Sequence, residues 1–203
     1  MRIQYRHPKL YDFLISFLYG RKLLEKFRQE VGKNHSVFDV AAGYGRMVRF
    51  IDSSNRYVGI DRNEIFVNYG KKNRLELEVR DIFDSAAYKR CGVFIVVDVI
   101  HHLTTEKLQN LFDLIFRHVN EKVVIIEPSF VSLTRRYGIL GKFLGWIFQI
   151  VDDDGFNKIT RWLSDEEYQH LFQSRFGSQH GKRFTMKHQK LDEHHLVTFT
   201  FSA

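Results

Sequence analysis

Between residues 36 and 128 the chain repeats one unit: a short run rich in Val and Ile, ending at a polar residue, then a stretch with helical spacing. The runs are "SVFDVA", "RYVGID", "LELEVRD", "GVFIVVD" and "KVVIIEP", separated by amphipathic segments at 44–52, 64–72, 84–89 and 104–118. Brief continuous apolar runs alternating with helices predict parallel strands buried on both faces. The expected architecture is therefore a doubly wound α/β sheet, with its ligand beyond the carboxyl ends of the strands.

The flanking segments have a different rhythm. Leu10, Phe13, Leu14, Phe17 and Leu18, then Leu23, Leu24 and Phe27, predict an amphipathic helix, or two helices broken near Gly20. After residue 128 the alternation stops at "YGILGKFLGWIFQIVDDDG". A helix is expected from "LSDEEY", where Ser164 and Glu167 form a capping-box pattern. Two more strands are expected near 179–186 and 194–201, joined by the turn-like "HQKLDEH". The result is one domain over residues 1–203: a helical cap (1–34), a ligand-binding core (35–128), a helical lid (129–163), and a last helix with strands six and seven (164–203).

Composition excludes several classes. A single cysteine, Cys91, rules out a disulfide framework and a Cys-based zinc site, and no metal site is expected. The N-terminal apolar stretch is interrupted by charges, unlike a signal peptide, and no apolar run approaches the roughly 20 residues that span a bilayer. A reducing cytosol is the expected location. The formal net charge is +7, which suits an anionic partner. The basic residues are dispersed and interrupted by acidic ones, so they read as a solvated surface, and nucleic acid is disfavoured.

The chemistry is expected around "SVFDVAAGYGRMVRFI", residues 36–51. Strand one ends at Asp39, and small residues at Ala41, Gly43 and Gly45 let the backbone approach a ligand closely. A dinucleotide fingerprint would need a third glycine where Val48 stands, and a P-loop would need a Gly-Lys pair that is absent. A ligand with an adenosine but no phosphate fits better. Asp61 ends strand two, where a carboxylate accepts from both hydroxyls of a ribose. Asp81 follows strand three, and Asp98 follows strand four. Each alone could form a turn or cap a helix. Four at the ends of four successive strands mark a site.

With these residues in view, the chain resembles the class I S-adenosylmethionine-dependent methyltransferases. "VFDVAAGYGR" is similar to the family's first motif, "YVGIDRN" to its second-strand acidic motif, "VRDIFD" to its adenine motif, and "VVDVIHHL" to its fourth-strand motif. The match covers residues 36–128. It departs at Ala41, where the first glycine usually stands, and at "HVNEK", which replaces a Pro-Gly-Gly turn. "DDDGFNKITRWLSDEEY" also resembles a segment found in a bacterial subgroup of the family. The resemblance implies a Rossmann-like, seven-stranded, mostly parallel sheet with an antiparallel last strand, and S-adenosylmethionine as cofactor. It further implies that Asp39, Ala41 and Gly43 border the methionine part of the cofactor. Asp61, with Arg62 beside it, would border the ribose, Asp81 and Ile82 the adenine, and Asp98 the space beside the methyl group.

Candidate bases are His101, His102 and Glu127, with only one of the two adjacent histidines expected to face the cleft. Where base-methylating enzymes of nucleic acids carry an Asn/Asp-Pro-Pro-aromatic motif, this chain reads "DVIH". Leu140, Phe143, Leu144, Ile147, Phe148 and Val151 form a helical stripe near Arg135, Arg136 and Lys142. The stripe reads as a lid on the domain's own core. Alternatively, it encloses an apolar acceptor with the N-terminal helix, or lies on an anionic membrane, with Tyr5, Tyr11, Tyr137 and Trp146 at the rim. The reading is methyl transfer to a small or lipid-like acceptor, at oxygen or carbon. The alternatives are an RNA or protein methyltransferase and a non-catalytic cofactor-binding member of the fold. The oligomeric state is left open.

Overall fold

The computed structural model describes residues 7–16, 19–128, 183–191 and 194–202, together with Glu166, Glu167 and His170, which are helical. The expected lid at 129–163, its rim residues Tyr137 and Trp146, and Tyr5 lie outside the described residues, as does most of the last helix.

The strands are β1 (Ser36–Val40), β2 (Arg56–Asp61), β3 (Glu76–Val79), β4 (Cys91–Val97), β5 (Val119–Pro128), β6 (Phe184–Leu191) and β7 (His194–Phe201). They form one sheet in the order β3-β2-β1-β4-β5-β7-β6. All neighbours from β3 to β5 are parallel, while β7 runs antiparallel to both β5 and β6. The order reverses between β1 and β4, and this is where a doubly wound sheet opens a crevice at its carboxyl edge.

Alternation along each strand divides the core in two. Phe38, Val40, Phe94, Val96, Val123 and Ile125 face one way, against Leu108, Leu111, Phe112, Ile115 and Phe116 of α4 (Thr105–His118). Val37, Val93, Ile95, Val124 and Ile126 face the other, against Leu23, Phe27 and Val31 of α2 (Arg21–Val31). Those three residues of α2 recur every four positions and are fully buried, each worth roughly 1.5–3 kcal/mol relative to exposure. The N-terminal segment is a helix pair, α1 (Pro8–Ser16) and α2, with extended Gly20 at the head of α2. The helix expected at 64–72 is α3 (Glu64–Lys72), capped by the Asn63 side chain, which accepts from the backbone N–H groups of Ile65 and Phe66.

Three expectations shift. The segment after the glycine turn is a short 3-10 helix, Arg46–Phe50, rather than a full helix over 44–52. Strand five starts three residues earlier than "KVVIIEP", at Val119, directly after α4 ends at His118. Strand six runs from Phe184 to Leu191, so most of "HQKLDEH" is strand. Its polar letters are those of a sheet edge: Phe184 and Met186 pack on the core while Lys187 and Lys190 face solvent.

Ala41 and Asp98 both have positive φ, 60° and 55°. At Ala41 the need is conformational as well as steric, since an L-residue in this region costs about 1–2 kcal/mol. Ala41→Gly is expected to raise stability by up to about 1 kcal/mol, after the larger entropy loss of glycine on folding is set against the relieved strain. Urea unfolding of the two proteins measures it.

Candidate active site

The turns that follow β1, β2, β3 and β4 surround one cavity of about 570 Å³. Asp39, Ala41, Gly43, Asp61, Arg62, Asp81, Ile82, Asp98 and His102 all line it. Tyr11 and Ile15 of α1, with Tyr19, form a further wall.

Asp61 fixes the geometry of the turn. One carboxylate oxygen accepts from the Gly43 N–H at 2.7 Å and the other from the Asn63 N–H at 2.7 Å. The ion thus ties the glycine turn to the loop that caps α3. β2 lies close against this turn because residue 59 has no side chain: a Cβ there would sit 2.7 Å from the Cβ of Ala42 and 3.4 Å from that of Asp39. Asp81 accepts from the Phe83 N–H at 2.8 Å, and the Ile82 carbonyl is held by the Tyr88 hydroxyl at 2.6 Å. Ile82 is half-buried and Arg62 is exposed at the cavity rim.

Asp39 is buried and accepts from the Tyr57 hydroxyl at 2.5 Å. Burial, opposed by that hydrogen bond and reinforced by the charge of Asp61, pushes its carboxyl up to about 7. A carboxyl raised in the folded state holds its proton more tightly there than in the unfolded chain. Its contribution to stability is therefore lost as pH rises from the ordinary range near ~4 through about 7. Asp39→Asn is expected to be more stable than the parent at pH 8, with the gap narrowing towards pH 5. Unfolding curves at the two pH values test this.

Beside the turn, Asp12 of α1 gathers three partners. It accepts from the Tyr44 hydroxyl at 2.6 Å, from Arg46 Nε at 3.2 Å and from Arg49 at 2.6 and 3.1 Å. Burial alone would raise the Asp12 carboxyl, but the hydrogen bonds from Arg49 and Tyr44 hold it down at about 2. α1 is thereby latched onto the glycine turn. Arg46, 7% exposed, lies with its guanidinium 4.6 Å above the Tyr19 ring and 5.2 Å from the Phe50 ring. The Tyr19 hydroxyl donates to the Asp98 carboxylate, and its ring stacks on His194 at 5.2 Å. Burial and the neighbouring Asp98 push the Tyr19 phenol well up, so it stays protonated as a donor.

The three candidate bases fall in two places. His102 is on the cavity wall. His101 and Glu127 are fully buried and engaged with each other, Nδ1 to Oε2 at 2.7 Å. Glu127 also accepts from the N–H groups of Val99 and Ile100 at 2.7 and 2.6 Å. It braces the loop that carries Asp98 and His102, and neither it nor His101 lines the cavity. Asp12, Tyr19, Arg46, Tyr57 and Gly59 also build the site, and none of them is marked by the strand-end pattern. Of these, only Gly59 carries a local signal, a glycine inside an apolar strand.

No family model and no curated protein matches the chain. Solved structures do. An S-adenosylmethionine-dependent methyltransferase from Clostridium acetobutylicum aligns over 97% of this chain and 98% of its own, with TM-score 0.65 at 12% identity. The plantazolicin methyltransferase BpumL, in complex with SAH, aligns over 97% and 89%, with TM-score 0.65 at 14% identity. Magnesium protoporphyrin IX methyltransferase from Synechocystis, with bound SAH, aligns over 97% and 84%, with TM-score 0.55 at 14% identity. The fold is that of the class I S-adenosylmethionine-dependent methyltransferases, a seven-stranded Rossmann-like sheet with β7 reversed.

Proposed function

We propose that this chain is an enzyme that transfers the methyl group of S-adenosylmethionine to a small or lipid-like acceptor, at oxygen or carbon. One observation carries the reading. Four carboxylates at or just beyond the ends of four successive strands, Asp39, Asp61, Asp81 and Asp98, line a single cavity.

The donor set fits the cofactor. Carboxylates accept from hydroxyls and amines and favour cations, whereas they repel the phosphates of a nucleotide. Asp61 would hold the ribose, with Arg62 beside it, and Asp81 and Ile82 would hold the adenine. Ala41 and Gly43 leave room for the methionine portion, since a Cβ on Gly43 would meet only Phe66, at 3.5 Å. Asp98, fixed by the Tyr19 hydroxyl, would stand beside the methyl group. When bound, S-adenosylmethionine supplies a methyl carbon already activated by its sulfonium. The chain then has to align the acceptor and, for a protic one, take up a proton. His102 is the candidate on the cavity wall for that proton. His101 and Glu127 are assigned the positioning of its loop.

Two fold neighbours are, by their names, methyltransferases of plantazolicin and magnesium protoporphyrin IX, which supports an acceptor of small-molecule size here. Among the described residues no helix is long and apolar enough to cross a membrane. Calorimetric titration with S-adenosylmethionine and S-adenosylhomocysteine should give micromolar binding. Labelled methyl should then pass to phenolic or lipid acceptors in preference to RNA. A folded protein that binds neither ligand overturns the reading.

A further inference from the structure

Asp39 is a buried carboxyl to which the fold gives no counter-ion. It is 1% exposed and belongs to the cavity wall. Among the described residues its side chain has one hydrogen-bond partner, the Tyr57 hydroxyl at 2.5 Å, and it joins no ion pair. The elements packed around it do not supply a cation. On β2, Gly59 lies opposite Asp39, Tyr57 faces it and Asp61 is a second carboxylate. Tyr57 is a neutral donor, since burial and the charge of Asp39 push its phenol well up. On β4 the register partner is Ile95, and Asp98 beyond the strand end is a further carboxylate, bound to the Tyr19 hydroxyl. The α2 residues that cover this face of the sheet, Leu23, Phe27 and Val31, are apolar. Arg46 of the 3-10 helix is engaged by Asp12. Arg62, Glu64 and Lys107 line the cavity from exposed positions, where solvent screens them, and His102 from a half-buried one. A carboxylate so placed bears its desolvation uncompensated, and the like charge of Asp61 adds to it, so the neutral acid is the favoured form.

A cationic ligand changes that balance, because it brings into the cavity the charge that the fold leaves out. S-adenosylmethionine carries a sulfonium and an ammonium against one carboxylate, and so enters with a net positive charge. On the reading of S-adenosylmethionine as cofactor, we propose that its binding is proton-coupled: Asp39 is a neutral acid in the ligand-free protein and gives its proton to solvent as the cofactor enters. The Asp39 O–H bond breaks, its electron pair stays on the carboxylate, and the proton passes to buffer. The cavity thus gains one net positive charge and loses another. Tyr57 is the positioning residue. Its hydroxyl keeps its own proton throughout and donates to the carboxylate that forms. The consequence is an affinity that falls with acidity for the cationic cofactor and stays level for a neutral ligand.

Calorimetry at pH 6 in buffers of low and high ionisation enthalpy counts the protons released on binding. The parent protein should release about one proton with S-adenosylmethionine and none with 5′-methylthioadenosine, which is neutral. Its affinity for S-adenosylmethionine should fall about fivefold from pH 7 to pH 6, as expected for an acid that titrates at about 7, while that for 5′-methylthioadenosine holds. Asp39→Asn should abolish the release and flatten the pH dependence. His102→Gln should keep both, which separates Asp39 from the histidine on the same wall. A parent that binds S-adenosylmethionine at pH 6 without releasing a proton overturns the proposal without any variant having to fold. So does a release that survives in a folded Asp39→Asn, or one that disappears in His102→Gln. If the parent binds neither ligand, the cofactor reading itself fails and takes the proposal with it, an outcome distinct from binding without release.

Discussion

Asp61→Ala is expected to weaken S-adenosylhomocysteine binding by at least about 100-fold. The carboxylate would hold the ribose hydroxyls while it accepts from Gly43 and Asn63. Hydrogen bonds to a charged group contribute about 1.5–3 kcal/mol each, and two of them exceed a hundredfold at about 1.4 kcal/mol per decade. Removing the carboxylate also frees the Gly43 N–H and loosens the turn between β1 and the 3-10 helix. Asp61→Asn separates the two effects: it keeps an acceptor for the turn but removes the charge, and should fall between the parent and the alanine variant. Titration of all three proteins, each shown folded by circular dichroism, gives the ranking. An alanine variant that binds within about threefold of the parent moves the ribose away from Asp61.

The second large effect is on stability. Glu127→Ala should destabilise the fold by at least about 3 kcal/mol, because three buried groups lose one shared acceptor, at about 1–3 kcal/mol each. It leaves the N–H groups of Val99 and Ile100 and the ring of His101, all of them in buried residues, without the acceptor they share. The midpoint of urea unfolding should fall while its slope stays the same. Glu127→Gln, which keeps an acceptor oxygen, should lose less. The comparison decides between two roles for this residue. A Glu127→Ala protein as stable as the parent, yet slow in methyl transfer, would make Glu127 a chemical participant rather than a brace.

The parallel core was legible in the sequence because its strands are buried on both faces and therefore spell continuous Val and Ile. The aspartates were legible for a related reason: a polar residue that closes such a run has to point out of the sheet's end, into the crevice. β6 was harder to place, since an edge strand needs an apolar residue only at every second position and His188, Gln189 and Lys190 look like loop. The residues that finish the site leave no mark of their own. Tyr57 matters because its hydroxyl reaches Asp39, Arg46 because Asp12 and Tyr19 meet it from another part of the chain, and Tyr19 because its hydroxyl reaches Asp98. Each depends on contacts made across many residues of sequence, which periodicity does not encode.

Ala41 carries one more consequence. Written as letters, the turn after β1 lacks the first of its three glycines. Written as backbone angles it lacks nothing, since residues 41, 43 and 45 have φ of 60°, 58° and 79°. The cradle is therefore defined by a path of the main chain that Asp61 and the close approach of β2 at Gly59 enforce from outside, and the letter at its first step is free to vary among the few side chains small enough to follow it.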